Sequence, residues 1–187
     1  MSEISIILVR HGEASASWGD DPDPGLSKIG IDQANKLIDN KNLPSLLEYD
    51  FVSSPKSRAL MTAAPLINKY SKNLITDETF TEIPSTGIKP QNKKDWLSEI
   101  VTMKLSDLPD EVNEWRLMLI EKIFETKKNT IVFSHFMVIN ALVAELTKSD
   151  TLLCFYPDYT SITKIIVEDN KVKDLYIGNE RKTLINL

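Results

Sequence analysis

The sequence predicts an α/β domain, a mostly parallel central sheet held between two layers of helices, and three observations carry that prediction. Two runs, "ISIILV" at 4–9 and "NTIVFS" at 129–134, are apolar on both faces, as strands covered by helices on either side must be. Strand-like and helix-like segments alternate along the chain. Both apolar runs end abruptly in polar residues, and the only two histidines, His11 and His135, follow within two positions. In open parallel sheets, ligands bind beyond the carboxyl ends of the strands.

Taken in order, residues 4–9 form the first strand, and the Pro/Gly/Asp-rich loop "SWGDDPDPG" follows it. "LSKIGIDQANKLIDN" is a helix with Ser27 as N-cap and Ile31, Ala34, Leu37 and Ile38 as its apolar face. "YDFVSS" is a short strand. Ser54-Pro55 opens the next helix, with proline at its tolerated first position. Pro65 should kink or restart that helix, because it removes an interior hydrogen bond. "NLITD" is a weaker strand. Residues 92–104 and 109–127 are helical; in the second, Pro109 stands near the start and Val112, Trp115, Leu119 and Ile123 make a buried stripe. "NTIVFS" is the second fully buried strand, with residues 137–148 as the helix behind it. "SITKIIVEDNKVKDLYIG" is a hairpin turning at Asp169-Asn170. No repeat, low-complexity tract or linker interrupts this order, so residues 1–187 are expected to form one domain.

Bulk properties narrow the function. A net charge of -5 argues against a nucleic-acid partner, whose footprint is a basic face. No apolar run is long enough to span a bilayer. The N-terminus lacks a basic region and cleavage site, and its apolar run reads as a strand rather than a signal peptide. The one cysteine, Cys154, cannot make an internal disulfide, so a reducing cytoplasm is expected.

Arginine usage sharpens the picture. The chain carries 18 Lys but only four Arg: Arg10, Arg58, Arg116 and Arg181. An arginine straight after a buried strand, in so lysine-rich a chain, suggests a need for its planar fork, which suits phosphate or carboxylate oxygens. Arg58, one turn into the helix after "FVSS", can reach the same sheet edge. For any single arginine a surface salt bridge explains as much. A histidine at a strand end can be a hydrogen-bonded core residue, a metal ligand, or a nucleophile or acid/base. Metal ligation would call for further His, Cys or carboxylate ligands at tight spacing, and arginine beside a ligand would repel the cation. A phosphate oxyanion between two histidines and two arginines is electrostatically coherent.

On these residues the chain resembles the histidine phosphatase superfamily, in its phosphoglycerate-mutase-like branch. "LVRHGEA" is similar to the family's signature after its first strand. "LSKIGIDQA" resembles its L-[ST]-x-x-G-x-x-Q-A helix start, and "SSPKSRALMTA" its S-S-P-x-x-R-A-x-x-T-A segment. "TEIPSTG" resembles the acidic segment and "IVFSHFMVINALV" the second-histidine segment. R-H-G alone recurs by chance; five segments in order do not.

The resemblance implies a phosphoglycerate-mutase-like fold and a phosphatase acting on a phosphomonoester, or a phosphohistidine, of a small substrate or phosphoprotein. His11 would form a phosphohistidine intermediate. Arg10, Arg58 and His135 would hold the equatorial oxygens. Glu82 would protonate the leaving oxygen and then deprotonate the attacking water. Only the match of "TEIPSTG" selects Glu82 over Asp77 and Glu78. Glu13 is expected to be a structural hydrogen-bonding residue, and no metal or organic cofactor is implied. The chain departs from the family pattern at two positions. Ser17 stands where asparagine is frequent and can still reach a phosphate oxygen, and Phe136 replaces the glycine common after the second histidine. Phe136 is expected to wall the pocket and narrow or redirect substrate access. Lys89, Lys93, Lys94 and Trp18 are further candidates for substrate contact, and Trp96 for a lid. A phosphoglycerate-type mutase ranks second, because the mutases of the family carry longer insertions than residues 83–110 supply here. A non-catalytic phosphate- or phosphoprotein-binding module ranks below it, since binding alone would not need a positioned acid.

Overall fold

The computed structural model describes residues 3–17 and 20–182. Among these residues, six strands form one sheet: β1 (Ile4–Arg10), β2 (Asp50–Ser53), β3 (Leu74–Thr76), β4 (Thr130–Ser134), β5 (Ile162–Glu168) and β6 (Lys171–Tyr176), in the order β3-β2-β4-β1-β5-β6. The first four are mutually parallel, and β5 and β6 are added antiparallel beyond β1. Five helices cover the sheet: α1 (Lys28–Lys36), α2 (Ser57–Tyr70), α3 (Lys93–Ile100), α4 (Asp110–Glu125) and α5 (Phe136–Thr147).

The double-sided apolar runs have their physical counterpart in two separate cores. Ile6 and Leu8 of β1 join Val132, Leu97, Trp115, Leu119, Val138 and Leu142 on the α3/α4/α5 side. Ile7 and Val9, alternating with them, join Phe51, Ile131, Phe133, Leu37, Ala59 and Leu66 on the α1/α2 side. Each such side chain contributes on the order of 1.5–3 kcal/mol by leaving water. Val112, Trp115, Leu119 and Ile123 are the buried positions of α4, as its periodicity predicts. The β5–β6 hairpin turns at Asp169 and Asn170, both left-handed (φ 51° and 59°).

Four local expectations are corrected. In α1 the buried positions are Gly30 and Ala34, with Leu37 just after, while Ile31 is exposed. The helix is rotated because Gly30 meets the chain after β1 backbone to backbone: a Cβ there would lie 2.1 Å from the Glu13 carbonyl oxygen. Pro55 does not open α2, which begins at Ser57; Asp23 from the acidic loop accepts from Ser57 N (2.9 Å) and Oγ (2.7 Å) and so caps it from outside. α2 runs unbroken through Pro65, held by buried Ala63 and Leu66 on either side. α3 ends at Ile100, because Lys104 bridges to Thr151 and Leu105 N bonds to the Asp150 carbonyl.

Candidate active site

Three neighbouring parallel strands end level with one another. Arg10 pairs with Ser134, and Ser53 with Phe133. The next residues, His11, His135 and Ser54, therefore emerge side by side. His11 N donates to the Ser134 carbonyl (2.9 Å) and Ser54 N to the Phe133 carbonyl (3.0 Å), so the alignment continues one residue past the sheet. The two imidazoles meet edge to face with centroids 5.3 Å apart, both buried.

His11 has a fixed tautomer. Its Nδ1 lies 2.7 Å from the Gly12 carbonyl, which can only accept, and its Nε2 receives Arg58 Nε–H at 3.1 Å, which can only donate. The proton is therefore on Nδ1 and the lone pair on Nε2. Burial, then the nearby Arg58 and Arg10 charges, holds its pKa well below the usual histidine range, so the ring is neutral at neutral pH. His135 is likewise pushed well down, by burial and then by Arg58. Its Nε2 is 2.8 Å from Ser54 Oγ, and its buried Nδ1 has no partner among the described residues.

The guanidinium groups face the same point. Arg10 is fully buried, donates from Nη1 to the Pro157 carbonyl (2.8 Å), and lies 4.2 Å from the Tyr159 ring centroid and 4.9 Å from that of Phe136. Arg58 is buried on the first turn of α2, and its Nη1 has no hydrogen-bond partner among the described residues. Burial lowers the pKa of both, and Glu82 works against that shift in each case. An unpartnered guanidinium nitrogen and an unpartnered imidazole nitrogen, both desolvated, are a costly arrangement that an oxyanion would satisfy. By contrast Arg116 forms an ion pair with Glu145 at 2.7 Å, the plain structural use of arginine.

Glu82 is separated from its acidic neighbours by environment. Its Oε1 accepts from its own neighbour Ile83 N and from Met137 N in the first turn of α5, both at 3.1 Å. Burial nevertheless raises its pKa, outweighing those bonds and the Arg58 and Arg10 charges. Asp77 goes the other way: burial would raise it, but Lys122 (2.6 Å) and Thr79 hold it below the usual carboxylate range. Glu78 accepts from Thr81 Oγ1 in an exposed position. Of these three carboxyl groups, Glu82 alone combines a raised pKa with the charges of both arginines acting on it. Its segment is pinned on two sides, by Ser134 Oγ to the Phe80 carbonyl (2.8 Å) and by Trp115 Nε1 to the Thr81 carbonyl (3.1 Å).

The remaining expected residues divide. Ser17 spends its hydroxyl on Asp20 Oδ2 (2.6 Å) within the loop. Glu13 accepts from Ser27 Oγ (2.7 Å), the structural bond expected of it. Phe136 does not stand at an opening; it is 1% exposed, packs edge-on to Tyr156 and lies beside Arg10, so it steadies a guanidinium instead of narrowing access. Lys89 and Lys94 are exposed. Lys93 is half-buried, its pKa lowered by burial and then by Lys56. Trp96 packs partly buried against the larger core, and Trp18 lies outside the described residues. Nothing in the local sequence marks Trp115 or Tyr159 for the site, and Ser54 is marked only by its place in "SSPKSRALMTA".

Two histidines, two arginines and a carboxyl group at the strand ends of a three-layer α/β sheet define a phosphoryl-transfer protein. The chain belongs to the histidine phosphatase superfamily (branch 1), whose family profile matches residues 6–179. No curated protein matches it by sequence. Solved structures do match in fold. Phosphoserine phosphatase from Entamoeba histolytica, solved with 3-phosphoglyceric acid, superposes with a TM-score of 0.72 at 20% identity, covering 96% of this chain and 98% of that one. A mycobacterial glucosyl-3-phosphoglycerate phosphatase gives 0.69 at 18%, covering 96% and 100%. Phosphoglycerate mutase from Bacillus anthracis gives 0.65 at 18%, covering 94% and 92%.

Proposed function

We propose that the chain is a phosphatase that hydrolyses a phosphomonoester, or a phosphohistidine, through a phosphohistidine on His11. The single observation that supports it best is the pair of contacts on His11, Nδ1 on the Gly12 carbonyl and Nε2 facing Arg58 Nε–H, which together leave the nucleophilic lone pair on Nε2. As the phosphoryl group arrives, Arg58 exchanges its bond from that lone pair to a phosphoryl oxygen. Nε2 then attacks phosphorus, the ester P–O bond breaks, and Glu82 gives its proton to the leaving oxygen. Arg10, Arg58 and His135 Nδ1 hold the equatorial oxygens through the transition state. Glu82, now ionised, takes a proton from water, which attacks phosphorus, breaks the N–P bond and releases phosphate. Ser17 can join the phosphate only by giving up Asp20.

The substrate is a small phosphorylated molecule or a phosphoprotein, and residues 1–187 act as one catalytic domain. A cytoplasmic setting accords with a single cysteine, and among the described residues no helix is long and apolar enough to cross a membrane. The decisive assay is phosphate release from p-nitrophenyl phosphate in the presence of a metal chelator. Turnover is expected; binding of phosphate without turnover would leave the non-catalytic module, and transfer between phosphoglycerates in preference to water would make the chain a mutase.

Arg58→Lys should lose roughly tenfold or more in kcat/KM, about 1.4 kcal/mol, because an ammonium cannot reproduce the two-point contact that a planar fork makes with phosphoryl oxygens. Near-unchanged kinetics would return Arg58 to a salt-bridge role.

A further inference from the structure

The carbonyl that fixes the His11 tautomer belongs to Gly12, and the peptides on either side of Gly12 are each held by one buried or half-buried side chain. On the near side, Gly12 N donates to Thr62 Oγ1 (3.0 Å). Thr62 is fully buried on α2, one turn past Arg58, and its hydroxyl proton is committed to the Arg58 carbonyl (2.7 Å). A carbonyl can only accept, so the Thr62 lone pair is what remains for Gly12. On the far side, Glu13 N, in the same peptide plane as the Gly12 carbonyl, donates to Gln33 Oε1 of α1 (2.8 Å). The space around this turn is closed: a Cβ on Gly12 would come within 2.7 Å of the Gly30 carbonyl oxygen.

We infer that Thr62 and Gln33 are positioning residues for His11, acting through the Gly12 peptides to keep its proton on Nδ1 and its lone pair on Nε2. The two helices thereby do different work at the same point. Thr62 ties the nucleophile's loop to the helix that carries Arg58, so the His11–Arg58 distance is set from one helix. Gln33 orients the peptide plane whose oxygen accepts the hydrogen bond from Nδ1–H. Neither touches the phosphate, so their loss should lower kcat while leaving KM close to its original value.

This inference rests on His11 being the nucleophile, and its test reads the His11 tautomer directly alongside turnover. With only two histidines in the chain, the imidazole nitrogens can be followed by 15N NMR and assigned with a His135 variant. In the wild type, His11 should show one protonated nitrogen, Nδ1, and one unprotonated nitrogen, Nε2. Thr62→Val keeps the shape and removes both hydrogen bonds. It should give a mixture of His11 tautomers and a fall in kcat of about tenfold or more, as expected when a reacting group is slightly misplaced. Thr62→Ser should restore both signals and rate. If Thr62→Val fails to fold, Gln33→Met, at a half-buried position, should show the same pair of effects. A single unchanged tautomer with unchanged kcat in the folded variant would overturn the inference, and so would a loss of kcat with the tautomer intact. If the tautomer shifts but His11→Ala retains full turnover, the positioning stands and it is the nucleophile assignment that fails.

Discussion

His11→Ala is expected to abolish turnover while leaving the protein folded. The imidazole is buried but not part of either apolar core, and its bonds run to one carbonyl and one guanidinium. Removing it should change unfolding free energy by about 2 kcal/mol or less, the ordinary range for a single substitution. Catalysis should fall by about 10^4-fold or more, since a covalent mechanism has no second route once its nucleophile is gone. The remaining Arg10, Arg58 and His135 should still bind inorganic phosphate, which separates loss of chemistry from loss of the site. Urea unfolding, phosphate binding by calorimetry and steady-state rates on one preparation test all three statements. Substantial turnover in His11→Ala would mean that water attacks the substrate directly.

The second large effect concerns Glu82 and depends on the leaving group. An alkoxide is strongly basic and needs a proton as the P–O bond breaks, whereas p-nitrophenolate leaves largely unaided. Glu82→Gln keeps the side chain's shape but has no proton to give. It should slow hydrolysis of an alkyl phosphate far more than formation of the phosphoenzyme from p-nitrophenyl phosphate. Dephosphorylation should suffer with both substrates, because the same carboxylate takes the proton from water, so single-turnover kinetics are needed. The sign of the pH effect follows from the environment: burial raises the Glu82 pKa, so its protonated form persists above the ordinary carboxylate range and is lost as pH rises further. The alkaline limb of kcat/KM for the alkyl substrate should therefore disappear in Glu82→Gln. Asp77→Asn and Glu78→Gln should show neither behaviour, because Asp77 is held ionised by Lys122 and Thr79 and Glu78 sits exposed against Thr81. The leaving-group contrast at one of those residues would move the acid there.

Much of this arrangement is written in short-range pattern. The strands β1 and β4 are legible because residues with both faces buried must be apolar at every position, and the abrupt polar end of each marks where the strand leaves the core for the edge carrying His11 and His135. α4 is legible because its four buried residues recur at helical spacing. α1 is not, since the face that Gly30 presents is chosen by contact with residues 12 and 13, across a loop that periodicity cannot see. The start of α2 is misread for a similar reason: its cap, Asp23, comes from 34 residues away. At the site, the charged residues announce themselves by type, whereas Ser54, Trp115 and Thr62 look ordinary until the fold gives each hydroxyl or indole a partner. The resemblance could name Glu82, but its distinction from Asp77 is electrostatic and exists only once Lys122 is placed beside one and not the other.

The phosphoenzyme itself is the most direct test of the mechanism. Wild-type protein mixed with 32P-labelled substrate and quenched within a turnover should carry covalent label that is stable to alkali and lost in acid, as a phosphoramidate is. Peptide mapping under alkaline conditions should place that label on His11, and His11→Ala should carry none. Acid-stable label, or label on His135 or any hydroxyl residue, would contradict the account.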